Sequence, residues 1–407
     1  MKERTEPASR SLVQYLAGAV FSGLLLCVAA SGDQTRITSR ADKSEKGEAD
    51  AKGTTGPKAD DGDRGERGRR GEGGREDRGG RRGRDRDGGG GKRPRRAYFS
   101  FPKENVGPEP ALAKAFEPFK DKLRIGWDED FLYIECDSMP DHRLMVGITA
   151  WNQQVPLPQP YTGSNAWRLP LKPRIAAKPV SASETLFRGS IAVAINGVPI
   201  FNPIKQDGRT DTNLAGELDE FGGHAGRADD YHYHIPPWHL TKVAGKGNPV
   251  AIALDGFPVY AAEEPDGKPV RKLDWLNGHQ YPSGLIQGRI HLHEHGEYHY
   301  HGTKTYPYLN GGFKGEVELE NGQVKVQPRA GPVRTYTRPL RGASITDFKS
   351  EGNEYSLNYR YQGKTHAINY TINKDGTYDF EFVNPDGRTK KETYRRRKTP
   401  DRGPPRP

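Results

Sequence analysis

Twelve histidines are spread unevenly over 407 residues, and ten of them lie between His224 and His301. Four of these sit in a Tyr-His-Tyr-His tetrapeptide that occurs twice, at residues 231–234 and 298–301. In an extended strand, residues i and i+2 share a face with Cα atoms about 6 to 7 Å apart. Both imidazoles of each copy can therefore reach one ion while both tyrosines face the other way. Imidazole suits zinc, copper or nickel better than calcium or magnesium, so a transition metal, Zn or Cu, is the cofactor to expect. His232, His234, His299 and His301 are expected as a four-imidazole set, provided the two strands meet. His224 and His279, each preceded by glycine, are candidates for further ligands or for groups just behind them. Asp219 and Asp274 are placed to orient imidazoles, as carboxylates do behind metal-bound histidine. The competing reading is a polar core in which buried imidazoles need only hydrogen bonds, and His239 and His366 are assigned to it.

The elements that position these residues form a tandem repeat. IAVAINGVPIF (191–201) parallels VAIALDGFPVY (250–260), and QDGR parallels PDGK, at a constant offset of 59. LDEFGGH (218–224) parallels LDWLNGH (273–279) at 55, and the two tetrapeptides follow at 67. Each unit reads as a buried strand, a Gly-Pro turn, a second strand, an Asp, a Gly-His and the Tyr-His-Tyr-His strand. One unit can bury only one face, so the pair is expected to pack about a pseudo-twofold axis. The second unit has an insertion ahead of its tetrapeptide carrying His291, His293 and His295, which have no partners in the first. Asp255 stands where the first unit has Asn196, and its expected role is a turn cap.

These motifs, with MPDH at 139–142, the GVPIFNP stretch and the YPYLNGGFKG that follows the second tetrapeptide, resemble the bacterial YHYH-domain family over roughly residues 125–316. The resemblance implies no particular activity. It implies cysteines where this chain has Phe221 and Gly312, so a disulfide of that kind is not available here.

The formal charge of +10 sits on the two flanks and leaves the histidine-bearing core net acidic, which argues against specific nucleic-acid binding. Lys2, Arg4 and Arg10 precede an apolar run from Leu16 to Ala30, the layout of an export signal over residues 1–30. The expected location is extracytoplasmic, with membrane attachment only through an uncleaved signal or a lipid on Cys27. Residues 31–97 are Gly- and Arg-rich with almost no large apolar side chain and read as a disordered linker. The basic flanks could hold anionic cell-wall or surface polymers. Cys136, on an apolar strand, reads as a small buried hydrophobe.

The fold expected is mainly β: a duplicated β-rich core within residues 98–320, with units at about 187–240 and 247–316, plus a small antiparallel meander at 343–395 and a basic tail at 396–407. A short helix is expected at ALAKAFEPF, cut by Pro118, and the Pro-rich residues 140–180 are expected to wrap over the surface. No nucleophile elbow, phosphate loop or thiol pair is present, so no catalytic residue can be named and enzyme activity stays open. The alternative to a metal protein is a metal-free surface module, in which the tyrosines and Trp151, Trp167, Trp238 and Trp275 form a carbohydrate- or protein-binding face.

Overall fold

Apolar runs separated by glycine turns give short strands throughout, and the computed structural model, which describes residues 99–280, 298–325 and 327–396, is mainly β. The apolar run Leu16–Ala30, the linker and the insertion with His291, His293 and His295 lie outside the described residues. Among the described residues no helix is long and apolar enough to cross a membrane.

Among the described residues the first element is a 3-10 helix (Ala111–Phe119) that includes Pro118, where the short helix is expected. Strands β1 (Arg124–Trp127), β2 (Phe131–Glu135) and β3 (Trp167–Pro170) form a three-stranded sheet, and β4 (Ile175–Ser181) pairs elsewhere. Cys136 follows β2, buried, its thiol hydrogen-bonded to Gly197 O at 3.0 Å, and burial pushes its pKa up to about 12. It is an inert core group, as its setting on an apolar strand predicts.

The first unit supplies β5 (Ser190–Ala194), β6 (Pro199–Phe201), β7 (Gly223–Ala225) and β8 (Tyr231–Tyr233), with the short helix α1 (Leu240–Ala244) after them. The second supplies β9 (Ala251–Ala253), β10 (Pro258–Tyr260), β11 (Gly278–Gln280) and β12 (Tyr298–His301). All eight form one sheet in the order β11-β12-β10-β9-β5-β6-β8-β7, so both halves repeat one strand order outward from the centre. At the centre β5 and β9 pair antiparallel, with Val193 opposite Ile252, its equivalent in the repeat. These two strands are buried on both faces, which is why they read as unbroken apolar runs rather than alternating ones. Each turns into its neighbour through a glycine with positive φ, Gly197 at 82° and Gly256 at 91°, a conformation that a Cβ disfavours.

β13 (Gly312–Gly315) pairs with β4, and β14 (Leu319–Glu320) with β15 (Gln323–Val324). The C-terminal meander runs β16 (Ser344–Glu351), β17 (Glu354–Tyr361), β18 (Lys364–Ile372), β19 (Thr377–Val383), β20 (Thr389–Arg395), each antiparallel to the next. Its inner face, with Ile345, Leu357, Ile368 and Phe380, belongs to the same continuous apolar cluster as the eight-stranded sheet.

One expectation is corrected here. Within the Pro-rich stretch, Leu144, Ile148, Trp151, Val155, Leu157 and Tyr161 are buried rather than draped over the surface. The segment bridges two layers: Gly147 N–H donates to Ile345 O of the meander at 3.0 Å, and Leu157 N–H to Asp229 O of the first unit at 2.8 Å. Its prolines leave few N–H groups to satisfy, which lets an irregular chain run through the interior. Asp229 also takes a bidentate ion pair from buried Arg334, at 2.7 and 3.1 Å, and the Arg334 guanidinium lies over the Phe380 ring.

Candidate metal centres

The strand order decides where the histidines go. Five inter-strand spacings separate β8 from β12, about 24 Å across the sheet, so the two Tyr-His-Tyr-His strands do not meet. The single four-imidazole set is therefore replaced by two groups, one within each unit. In the first, β7 lies antiparallel to β8 with His224 opposite His232; in the second, β11 lies antiparallel to β12 with His279 opposite His299. The Gly-His strand thus delivers the third imidazole to the face already carrying the i, i+2 pair. His224 and His279 join as full members of the two groups, which are His224, His232 and His234, and Glu264, His279, His299 and His301.

The two imidazole triangles have nearly the same shape. Ring centroids in the first are 4.9 Å apart on all three edges, and in the second 4.6, 5.1 and 4.9 Å. His234 Nδ1 meets Asn202 O at 2.7 Å, and His301 Nδ1 meets Ala261 O at 3.2 Å, where Asn202 and Ala261 are repeat equivalents. His232 Nδ1 meets its neighbour Asp230 O at 2.9 Å. A carbonyl oxygen only accepts, so each Nδ1 carries the proton and each Nε2 keeps a lone pair for the group. This is how backbone acceptors set the tautomer of a metal-binding histidine.

In the second group, Glu264 Oε2 lies 3.2 Å from His279 Nε2, 3.2 Å from His299 Nε2 and 3.5 Å from His301 Nε2. His279 Nε2 lies 3.0 Å from His299 Nε2 and 3.3 Å from His301 Nε2. Four donors held around a tetrahedral zinc ion at about 2.0–2.2 Å would stand roughly 3.3–3.6 Å from one another. Glu264 is fully buried, with its other oxygen accepting from Arg271 N–H at 2.8 Å. A carboxylate facing the lone pair of His301 is repulsive unless a cation lies between them.

In the first group, His234 Nε2 and His224 Nε2 are 3.1 Å apart. Burial, then the neighbouring imidazoles, holds His224 and His234 well below the ordinary histidine pKa, which keeps them neutral. His279 is lowered for the same first reason. Phe201 stacks on the His232 ring at 4.0 Å and fixes its plane, while its equivalent Tyr260 meets His299 edge-on at 5.2 Å.

Asp219 and Asp274 do not orient imidazoles. Asp219 Oδ2 accepts the Tyr231 hydroxyl at 2.8 Å and Asp274 Oδ2 the Tyr298 hydroxyl at 2.9 Å, while the other oxygen of each caps its turn through N–H groups. They lock the tyrosine face, and the histidine face is thereby presented on the opposite side. Gly223 and Gly278 let those tyrosines cross: a Cβ there would stand 2.5 and 2.4 Å from the hydroxyl oxygens of Tyr231 and Tyr298. Asp255 Oδ1 caps Phe257 N–H at 3.3 Å, as expected, and Oδ2 also accepts the Tyr300 hydroxyl at 2.6 Å and Gly315 N–H at 2.9 Å. Its counterpart Asn196 donates to Tyr233, whose hydroxyl also meets His142 Nε2 at 2.8 Å. His239 lies 3.3 Å from the same hydroxyl and His366 stacks on Tyr359, both outside the metal groups.

Part of the aromatic set of the alternative reading lies inside the fold. Trp151, Trp167 and all four tyrosines of the two tetrapeptides are buried, and of the four tryptophans only Trp275 is exposed. Sequence reasoning missed Glu264, because its equivalent at the offset of 59 is Lys205 and symmetry argued for no ligand there.

A mainly β chain with two histidine triads on one sheet defines the class. Within it, residues 166–269, about a quarter of the chain, match the family model described as YHYH protein. The match takes in the first triad and Glu264 but ends ahead of His279 and the second tetrapeptide. No curated protein and no solved structure matches the chain.

Proposed function

We propose that this is an exported protein whose duplicated YHYH core binds two transition-metal ions, zinc or copper, one in each unit. The observation that carries the reading is the buried convergence of Glu264 with His279, His299 and His301 at separations of 3.0 to 3.5 Å. Three neutral nitrogens and a carboxylate make a borderline donor set that fits Zn, Cu, Ni or Fe better than Ca or Mg. His301, whose Nδ1 proton goes to Ala261 O, turns its Nε2 lone pair toward the Glu264 carboxylate. The basic flanks would hold the protein near anionic wall or surface polymers outside the cytoplasm, where such an ion is captured or stored.

Because the ligands come from separate strands, binding favours the folded state. The test is thermal unfolding of chelator-treated full chain, free of any histidine tag, before and after adding zinc or copper. A free ion at a hundredfold over its Kd adds about 2.7 kcal/mol per site, which should raise Tm by several degrees. An unchanged melting curve with both metals would contradict the reading.

A further inference from the structure

The two centres differ at one position beside the imidazoles. Glu264, which supplies the fourth donor of the second group, corresponds to Lys205 in the first. An ammonium repels a metal ion, and Lys205 instead hydrogen-bonds Glu217 Oε1 at 2.6 Å. The first group therefore has three nitrogen donors and a cation where its twin has a carboxylate.

Space adjoins that gap. A cavity of about 730 Å³ is lined by His224, His232, His234 and Lys205, with exposed Arg188, Arg227 and Arg329 also on its wall. Its acidic residues are already engaged: Glu217 by Lys205, Asp207 by Thr210 and the Arg209 N–H, and Asp230 by the Ala228 N–H. The wall carries four cations, Lys205, Arg188, Arg227 and Arg329, against three carboxylates, an excess of one positive charge.

We propose that the ion held by His224, His232 and His234 keeps an exchangeable coordination position facing this cavity, and that this position takes an oxyanion of the phosphate class. The inference rests on the metal reading above. Lys205 balances the charge of the bound oxygens, and the three arginines draw the anion in. The first centre is thus a ligand-binding site and the second a closed one, a division of labour between copies of one design.

The experiment uses the tag-free full chain loaded with cobalt(II), whose visible spectrum reports coordination. Inorganic phosphate, and separately phenyl phosphate, should shift the spectrum of one of two bound ions in a saturable way. His234→Ala, which leaves only the second centre, should abolish the response. Lys205→Met should raise the half-saturating phosphate concentration at least about tenfold, as loss of one charge-assisted bond requires. The pair Lys205→Glu with Glu217→Lys copies the charge order of Glu264 and Lys272 in the second unit; it should keep two cobalt ions and lose the response. Two bound cobalt ions indifferent to phosphate, an unchanged response in Lys205→Met, or an equal response to acetate would overturn this proposal alone. Failure to bind cobalt would overturn the metal reading and this proposal with it.

Discussion

Glu264 and Lys205 occupy the same position of the two units, and that single difference separates the centres chemically. Glu264→Gln keeps the shape and removes the anion, so the second centre should lose metal affinity at least about tenfold while the first is unchanged. Competition with a chromophoric chelator measures both, and equal weakening at the two centres would contradict the assignment. Asp255 makes a different prediction, because burial raises its pKa to about 6 despite three hydrogen bonds. Its folded pKa lies above the unfolded value, so its contribution favours folding below about pH 4 and is lost as pH rises through about 6. Relative to Asp255→Asn, the metal-free wild type should lose about 2 kcal/mol between pH 4 and pH 7. A stability difference independent of pH in urea titrations would show that the carboxyl titrates normally. The histidines as metal candidates were legible because their types repeat in register. Glu264 was not, because a ligand supplied by one copy alone is invisible to an argument from symmetry.

At the level of strands, the periodicity within each Tyr-His-Tyr-His segment placed imidazoles and tyrosines on opposite faces correctly. What the offsets could not say is which strand is the neighbour. A repeat can bring its copies together edge to edge or centre to centre, and here β5 and β9 pair at the centre, leaving the tetrapeptide strands near the rims. The Gly-His segment, close in sequence to Tyr-His-Tyr-His in the first unit, pairs with it as β7 with β8, so local contacts rather than symmetry assemble each triad. Gly223 and Gly278 are the residues that permit the pairing. Gly223→Ala forces a methyl group against the Tyr231 hydroxyl and the His232 carbonyl, and should destabilise the fold by about 1–3 kcal/mol and weaken the first centre. Urea unfolding checks this; a change below about 0.5 kcal/mol would show that the tyrosine ring yields instead.

Across the whole molecule, the mainly β class and the five-stranded meander were readable from alternation and turn residues. The meander's continuity with the central core was not, because it depends on the Pro-rich segment lying between layers, a placement visible only in long-range contacts such as Tyr370 Oη to Pro156 O at 2.7 Å. The same long-range order keeps the two histidine groups apart, on opposite halves of the eight-stranded sheet. The most direct test of the account is therefore metal stoichiometry by elemental analysis of the tag-free full chain and of two variants, His232→Ala with His234→Ala, and His299→Ala with His301→Ala. Two equivalents in the wild type and one in each variant are predicted. Less than a tenth of an equivalent in the wild type, or loss of all metal from either variant, would contradict it.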